Sequence, residues 1–294
     1  MDTIALFSDT GILPGLHVTL YTLLETWPEE VPVRVHVFAD EVSDRDKDLL
    51  RKTHAACKGN SELVITDFSP KRPSGGNTLH GNETSYGRLH LGELLPDCDR
   101  CLYLDCDLII RASLKPIFDL FDGEHTLLVE ATPRVKHELM RDLYVSAGMD
   151  PEDRCFNSGI IGMDLKRYRD LDGLKRCHEL AWKYRDAVKG ADQALLNLAF
   201  HGDFKSFDPK FNFFVFPWDV PPADGLEDKV YHLLGAPKPW DFGGMHLNKH
   251  GEVWKEYLQH TALAGTSLAR FRGAYRTFRI SRSLLRAWKR GRGR

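Results

Sequence analysis

The sequence predicts an α/β protein built on a single Rossmann-like, mostly parallel sheet that is flanked by helices. Apolar runs of strand length alternate with helical segments along residues 1–67, which is the pattern of a doubly wound sheet. The 294 residues are 42% hydrophobic and 28% charged, an ordinary soluble composition with enough chain for one large α/β domain. No apolar stretch approaches the ~18 residues that a membrane-spanning helix needs.

Strand and helix signals follow one another in order from the N-terminus. Val33, Val35 and Val37, for example, share one face of the second strand. The predicted strands cover residues 4–7, 33–38, 63–66, 101–104 and 155–163, with a short strand that begins at Val230. The predicted helices cover residues 16–26, 43–54, 86–95, 174–184 and 192–199. Residues 69–82 form a predicted Pro- and Gly-rich loop.

Two carboxylates close the apolar run 101–104, which continues as apolar sequence after them. Side chains two residues apart in a strand point the same way, so Asp105 and Asp107 can converge. Two ionised carboxylates near a buried sheet edge repel unless a positive group lies between them. The predicted occupant is a hard divalent cation that carries an anionic substrate. A strand end with two solvated aspartates is the alternative.

Charge is distributed unevenly along the chain. The net charge is −2, yet the ten Lys and Arg residues from Arg270 to Arg294 have no acidic partner in the same segment, so the remainder carries −12. Aromatic residues and arginines recur there at three- and four-residue steps, which predicts a basic amphipathic helix that binds an anionic membrane surface. A helix docked on the acidic body is one alternative. A nucleic-acid-binding tail is another, but the acidic body and the lack of a nucleic-acid motif predict no nucleic-acid partner.

The division predicted from these patterns is a catalytic domain at residues 1–262 and a membrane-associating tail at residues 263–294. The first residues lack the basic start and long apolar core of a signal peptide, which favours a cytoplasmic protein. The tail would place it peripherally at the inner face of the membrane. The six cysteines show no disulfide framework and fit reduced thiols.

Several motifs, in this order and at these spacings, resemble glycosyltransferase family 8. They are Asp105-Cys106-Asp107, Phe156-Asn157-Ser158-Gly159, Ala191-Asp192-Gln193, Phe211-Asn212-Phe213 and the run from His232 to Trp240. The resemblance extends from the first strand to about Trp240 and is closest to lipopolysaccharide α-galactosyltransferases. It implies a GT-A fold and a retaining, metal-dependent enzyme. Such an enzyme moves galactose or glucose from a UDP-sugar to a glycan or lipopolysaccharide-type acceptor, here expected to be lipid-linked.

The resemblance also implies roles for individual residues. Asp105, Asp107 and His232 would hold a metal ion, and this mixed hard ligand set favours Mn²⁺ over Mg²⁺. The expected donor-binding residues are Ser8, Asp9, Arg88, Asp105, Cys106, Asn157, Gly235 and Lys238. Gly11 and Ile12 depart from close relatives, which have Asn and an aromatic residue there, and this weakens the donor contacts inferred for the loop. Each position also has a structural interpretation, such as a buried histidine at 232, a solvated lysine at 238 or a helix N-cap at 192.

The expected catalytic residues are Asp192, which would bind hydroxyls of the donor sugar, and Gln193, near the anomeric carbon. A neutral amide is a poor nucleophile, and no second carboxylate clearly supplies one, which favours attack by the acceptor on the same face as the departing diphosphate. Two other classes stay open from the sequence. One is a metal-dependent nucleotidyltransferase that makes nucleotide-sugars, although the loop after the first strand is not glycine-rich. The other is a non-catalytic, glycan-binding peripheral membrane protein.

Overall fold

The structure is a computed structural model that describes residues 1–74, 83–188 and 191–271, with residues 278, 280, 281, 283–285 and 288 of the tail. Part of the loop predicted at 69–82 and most of the predicted tail helix therefore lie outside the described residues. Within them the strands are β1 (Asp2–Asp9), β2 (Val33–Asp40), β3 (Ser61–Asp67), β4 (Arg100–Leu104), β5 (Leu108–Ile110), β6 (Leu127–Val129), β7 (Ile160–Asp164), β8 (Phe204–Ser206), β9 (Phe213–Val215) and β10 (Val230–Leu233).

Helices cover much of the chain between these strands. The α-helices of the described residues are α1 (Leu13–Thr26), α2 (Asp44–Ala56), α3 (Leu91–Leu94), α4 (Lys115–Phe118), α5 (Arg141–Ser146), α6 (Leu165–Asp170), α7 (Gly173–Lys183), α8 (Ala191–Ala199), α9 (Gly244–Leu247) and α10 (Gly251–Leu258). Short 3₁₀ helices cover Thr84–His90, Val135–His137, Pro209–Asn212 and Leu268–Phe271. Among the described residues, none of these helices combines the length and the apolar character needed to span a bilayer.

The predicted mostly parallel sheet with flanking helices is confirmed. Seven strands of the described chain lie in the order β3-β2-β1-β4-β7-β6-β8. The pairs β1–β2, β2–β3, β1–β4 and β6–β8 are parallel, whereas β7 runs antiparallel to both β4 and β6. The parallel half therefore brings the carboxyl ends of β1 and β4 to one edge, where the strand order turns and a ligand crevice forms.

The sequence analysis was wrong in treating the run after Asp107 as a continuation of the same strand. The chain leaves the central sheet after Leu104, and β5 instead joins a small sheet with the order β5-β10-β9. The backbone of Asp105 still pairs with the residue that precedes β7, because the Asp105 N–H donates to Gly159 O at 2.7 Å. Asp105 and Asp107 therefore lie in a bend between two sheets, and their convergence comes from this bend and not from strand alternation.

Helix α1 packs tightly behind that bend. A Cβ atom on Gly15 would lie 2.3 Å from Cys106 O and 2.5 Å from a ring carbon of Trp240, so only glycine permits this approach. Thr19 Oγ1 donates to Leu108 O at 3.0 Å and accepts from Leu108 N at 3.1 Å. These contacts fix the position of the Asp105–Asp107 bend against the first helix.

The C-terminal segment begins by packing on the body. Leu268 and Phe271 are buried in the same core as the central sheet and α1. Arg270 pairs with the buried carboxylate of Asp46 on α2 at 2.7 Å. Farther along, Ile280 is 1% exposed, whereas Phe278 is 75% exposed, so the described tail residues have one packed side and one open side. The division at residue 262 stays a prediction.

Candidate active site

A cavity of about 400 Å³ opens at the carboxyl ends of β1 and β4, between the central sheet and the small sheet. Polar residues from five separate segments converge on it. Its described lining includes Thr84, Ser85, Arg88, Tyr103, Asp105, Cys106, Asp107, Asn157, Ser158, Asp192, Gln193, His232, Gly235 and Lys238, with apolar walls from Phe7, Ile12, Leu234, Ala236 and Ile280. A pocket with many convergent polar groups is where ligand binding is expected.

Three potential metal ligands meet at one wall of the cavity. His232 Nε2 lies 3.2 Å from Asp107 Oδ1 and 3.7 Å from Asp105 Oδ2. One ligand atom from each residue fits within 4.8 Å of the other two. Gly159 backs this group at very close range, because a Cβ there would lie 2.2 Å from His232 Cε1 and 2.9 Å from Asp105 Oδ2. The predicted convergence of the two aspartates and the histidine is therefore present.

A chain of hydrogen bonds behind the cavity starts from two backbone N–H groups. Ser158 N donates to Gln193 Oε1 at 3.2 Å, which identifies that atom as the carbonyl oxygen of the amide. Asn157 Nδ2 donates to the same oxygen at 3.0 Å. Gly159 N donates to Asn157 Oδ1 at 2.9 Å. The orientations of both side-chain amides are therefore set by backbone donors.

The same chain of hydrogen bonds determines the tautomer of His232. Asn212 Nδ2 donates to Asn157 Oδ1 at 3.3 Å, which turns Asn212 Oδ1 toward the imidazole. That oxygen can only accept, so the 2.9 Å contact requires His232 Nδ1 to carry the proton. In the neutral ring the lone pair then lies on Nε2 and faces the oxygens of Asp105 and Asp107. Such a lone pair beside carboxylates is the arrangement of a metal site.

The donor set fits a divalent cation. Asp107 Oδ1 is buried and accepts no hydrogen bond from the described residues, although it faces the imidazole. Two carboxylates and one imidazole are hard to intermediate ligands of the kind that Mn²⁺ accepts. A second group, at Asp122, Glu124 and His125, is more exposed. Its Asp122 carboxylate is already occupied by backbone N–H groups and by Lys205 at 3.1 Å.

Lys238 lies on the other side of Asp107. Its Nζ donates to Asp107 Oδ2 at 2.6 Å and to Leu233 O, and its N–H donates to Asp241 Oδ2 at 2.8 Å. Burial alone would raise the pKa of Asp107, but the Lys238 ammonium, together with His232 in its protonated form, outweighs burial and holds that pKa well below its usual range. Asp107 is therefore ionised, and Lys238 lies at the cavity wall.

Arg88 joins two carboxylates from different segments. Its Nη2 lies 2.9 Å from Asp105 Oδ1 and its Nε lies 3.0 Å from Asp192 Oδ2, while the guanidinium covers the Tyr103 ring at 4.2 Å. Burial alone would lower the pKa of Arg88, but these two carboxylates raise it above its usual value. Burial raises the pKa of Asp192, and Arg88 opposes that shift. Asp192 also accepts from Ser158 Oγ at 3.1 Å.

Two of the predicted donor-binding residues are not brought into this cavity. Ser8 is buried with its hydroxyl bonded to Asp9 O at 3.0 Å, and Asp9 lines a different pocket with Glu83. Asp9 Oδ1 instead accepts from Ile12 N at 3.0 Å and shapes the loop before α1. Their assignment to the donor stays a prediction. The other predicted residues, including Cys106, Asn157 and Gly235, line the cavity.

The cavity also contains residues that the sequence reasoning did not assign. Tyr103 donates its hydroxyl to Asp105 Oδ1 at 2.5 Å, and its position two residues before Asp105 was an available signal. Asn212 stood in a recognised motif without a role. Ile280 comes from the tail, about 50 residues beyond His232 in the printed numbering, and no local pattern places it at this wall.

Burial and the nearby carboxylates raise the pKa of the Cys106 thiol, which therefore stays neutral.

Comparison with known proteins identifies the family. Residues 3–243 match the glycosyl transferase family 8. The chain belongs to glycosyltransferase family 8. The match covers most of the chain and contains all the polar residues that line the cavity. Glycosyl transfer is the chemistry of this family, so the described cavity is the candidate active site of a glycosyltransferase.

Individual relatives agree with family 8 membership. Glycosyltransferase GlyE of Streptococcus pneumoniae is 24% identical over 255 residues, which cover 82% of this chain and 54% of that protein. A putative glycosyltransferase of Haemophilus influenzae is 21% identical over 252 residues, which cover 83% of this chain and 74% of that protein. The chain thus spans about half the length of GlyE.

Solved structures place the family 8 chain among GT-A folds. The galactosyltransferase LgtC, solved in complex with donor and acceptor sugar analogues, matches with a TM-score of 0.71 and 25% sequence identity. The match covers 88% of this chain and 96% of that chain. The predicted GT-A fold is therefore confirmed.

Proposed function

We propose that this family 8 chain transfers galactose or glucose from a UDP-sugar to a saccharide acceptor, with retention at the anomeric carbon and with Mn²⁺ as cofactor. The observation that carries the proposal is the lone pair of His232 Nε2, which faces Asp107 Oδ1 at 3.2 Å and Asp105 Oδ2 at 3.7 Å. A divalent cation would neutralise the diphosphate and stabilise charge on the departing UDP. Mg²⁺ is the alternative ion.

The charges around the cavity support a mechanism without a covalent intermediate. Three carboxylates line the cavity among the described residues, and each one is paired with a cationic side chain. Arg88 holds Asp105 and Asp192, whereas Lys238 holds Asp107. A covalent retaining mechanism needs a carboxylate that is free to attack the anomeric carbon, and a paired and buried carboxylate is a poor nucleophile.

In the proposed reaction the acceptor hydroxyl attacks the anomeric carbon from the side on which UDP departs. The bond from that carbon to the phosphate oxygen breaks with its electron pair going to UDP. The acceptor oxygen forms the new glycosidic bond, and its proton passes to a diphosphate oxygen. Asn157 and Ser158 hold the Gln193 carbonyl at the cavity, where it can stabilise the cationic anomeric centre. Asp192 would bind hydroxyls of the donor sugar.

The experiment that tests the function measures UDP release from UDP-galactose, UDP-glucose and UDP-N-acetylglucosamine, with Mn²⁺ and with chelator. We expect release from a galactose or glucose donor that depends on Mn²⁺. Proton NMR of a glycoside product should show the anomeric configuration of the donor. Metal-independent release, or an inverted product, would contradict the proposal, and exchange of nucleotide without sugar transfer would favour a nucleotidyltransferase instead.

A membrane-bound acceptor is a further part of the proposal. The tail carries ten basic residues from Arg270 onward, and its described apolar residues Phe278, Leu285 and Trp288 are 75%, 52% and 43% exposed. Cations beside exposed aromatic residues favour an anionic leaflet, which attracts each cation by about 1 kcal/mol. The tail would hold the enzyme peripherally at the inner face of the membrane, where a lipid-linked saccharide is accessible.

A further inference from the structure

Two aromatic rings lie parallel on the surface beside the active site. The ring centroids of Phe216 and Trp218 are 5.2 Å apart and their planes differ by 2°, which is an offset stack. Phe216 is 38% exposed and Trp218 is partly exposed. Large apolar side chains held open to water in this way commonly mark a binding surface.

The stack adjoins the wall of the active-site cavity. A Cβ on Gly235, which lines that cavity, would lie 3.8 Å from Phe216 Cδ1 and 3.7 Å from Pro217 Cδ. Phe214 packs edge-on against the His232 ring at 6.1 Å. Phe216 directly follows β9 and opens the turn that carries Trp218. Phe216 therefore lies beside Gly235 at the wall of the cavity.

The backbone that carries the stack is held by hydrogen bonds on both sides. Leu234 N donates to Val215 O at 2.8 Å, and Lys249 N donates to Pro217 O at 2.7 Å. Between them, Phe216 N donates to Asp219 Oδ2 at 2.8 Å and Asp219 N returns a bond to Phe216 O at 3.0 Å. A surface that is ordered before its ligand arrives loses less entropy on binding.

The acidic sequence that follows the stack indicates what the stack can bind. Residues 219–228 contain the acidic residues Asp219, Asp224, Glu227 and Asp228 and no Lys or Arg. This segment would repel an anionic lipid surface. A pyranose ring is neutral, and the C–H groups on one of its faces are weakly positive, whereas the face of an aromatic ring is negative. Hydroxyls at the edge of the sugar can donate to neighbouring carboxylates.

We propose that Phe216 and Trp218 form a stacking platform for a pyranose ring of the saccharide acceptor, at the rim of the donor cavity. This inference rests on the proposed sugar transfer and names the part of the acceptor that is recognised. The platform positions the acceptor beside Gly235 and selects for sugars that have one continuous C–H face. Neither residue lines the donor cavity, so we expect donor binding not to depend on the platform.

The experiment compares Phe216→Ala and Trp218→Ala with Phe213→Ala. Phe213 is a matched control because it is 39% exposed on β9, three residues before Phe216, yet its ring packs on Tyr231. Saturation-transfer NMR would follow methyl β-D-galactopyranoside, methyl β-D-glucopyranoside and methyl N-acetyl-β-D-glucosaminide in the presence of UDP and Mn²⁺. Donor hydrolysis would be measured for every variant.

The expected result is saturation of C–H protons on one face of at least one probe, with affinity about tenfold weaker in the two platform variants. Phe213→Ala and the conservative Trp218→Phe should match the wild type, and donor hydrolysis should stay within about twofold in all variants. Platform variants that bind the probes as the wild type does would overturn the proposal. So would the absence of saturation for all three sugars.

Two further results distinguish the sugar platform from the proposed sugar transfer and from a lipid-binding surface. Wild-type protein that binds the probes through Phe216 and Trp218 but releases no UDP would contradict the proposed sugar transfer and keep the platform. Platform variants that lose binding to vesicles of phosphatidylethanolamine and phosphatidylglycerol, with unchanged contact to the sugars, would instead identify a lipid-binding surface and overturn the sugar platform.

Discussion

Gly159 shows how one missing atom shapes the active site. The Cα of this residue lies so close to the metal-ligand group that a methyl group would overlap His232 Cε1 and Asp105 Oδ2. The residue is present in a Phe-Asn-Ser-Gly motif that the sequence analysis connected to the donor through Asn157 alone. The stronger constraint on Gly159 is the close approach of the His232 imidazole, and a sequence motif does not reveal that contact.

Replacing Gly159 by Ala should therefore weaken metal binding more strongly than it reduces the stability of the fold. The Cβ would lie 2.2 Å from His232 Cε1 and displace the ring, so we expect Mn²⁺ affinity to fall on the order of 100-fold. Gly162→Ala on β7 is the control, because its Cβ would crowd Leu128 at 3.0 Å and cost stability without touching the ligands. Calorimetric titration with Mn²⁺ and UDP measures the difference, and equal affinities in both variants would contradict this account.

Asn212 is predicted to position His232 without contacting the substrate. In Asn212→Leu the Nδ1 proton loses its acceptor, so the imidazole should populate both tautomers and Mn²⁺ affinity should fall about tenfold. Asn212→Asp restores an acceptor and should restore the tautomer. Nitrogen-15 NMR of labelled histidine reports the protonated ring nitrogen directly. A single Nδ1-protonated ring in Asn212→Leu would show that another group sets the tautomer.

At the scale of elements, the long parallel strands could be predicted and the small sheet could not. The residues that alternate in β2, Val33, Val35 and Val37, are all buried as expected. Strands β5 and β9 have three residues each, which is too short for a periodic signal, and β10 pairs with both across large sequence separations. The bend at Asp105 and Asp107 interrupts an apolar run that reads continuously, so only tertiary pairing reveals it.

The packing of α1 on α2 should make stability depend on pH. Burial lowers the pKa of His17 from 6.5 to about 4, with Asp46 opposing the shift and Arg270 adding to it, and His17 Nδ1 contacts Thr53 Oγ1 at 2.7 Å. The unfolded chain binds the proton more readily, so the stability due to neutral His17 is complete above pH 6.5 and is lost as the pH falls toward 4.

This loss is on the order of 3 kcal/mol for the wild type. His17→Gln removes the titrating group at the same position and should flatten that part of the pH profile. Urea unfolding between pH 4 and 7 measures the free energy of unfolding of both proteins. The contributions of the other histidines cancel in the difference between the two profiles. Parallel profiles over this window would show that His17 is accessible to protons in the folded state.

At the scale of the whole molecule, the sequence predicted which segments form the site but not how their charges pair. The family motifs named Asp105, Asp107, Asp192, His232 and Lys238 correctly as neighbours of one cavity. The charge pairs join residues that are distant in sequence. Arg88, for example, forms ion pairs with both Asp105 and Asp192. Side-chain charge partners and amide orientations follow from packing in three dimensions, which motif spacing does not encode.

The uneven charge of the molecule leads to a prediction for the tail. Removing residues 278–294 deletes seven of the ten basic residues and the exposed Phe278, Leu285 and Trp288, but keeps Leu268 and Phe271 in the core. We expect the truncated protein to stay folded and to lose binding to phosphatidylglycerol vesicles. Binding of the full chain should weaken with salt and be absent with phosphatidylcholine. Unchanged sedimentation of the truncated protein with anionic vesicles would refute a membrane role for these residues.

The central claim is that Asp105, Asp107 and His232 hold the divalent cation that binds the donor diphosphate. Anomalous diffraction from crystals grown with Mn²⁺ and UDP tests it most directly. We predict one strong manganese peak within coordination distance of His232 Nε2 and of both carboxylates, in contact with diphosphate oxygens, which Asp107→Asn weakens. A peak at Asp122, Glu124 and His125 with none at His232, or UDP bound with no manganese beside it, would contradict the account.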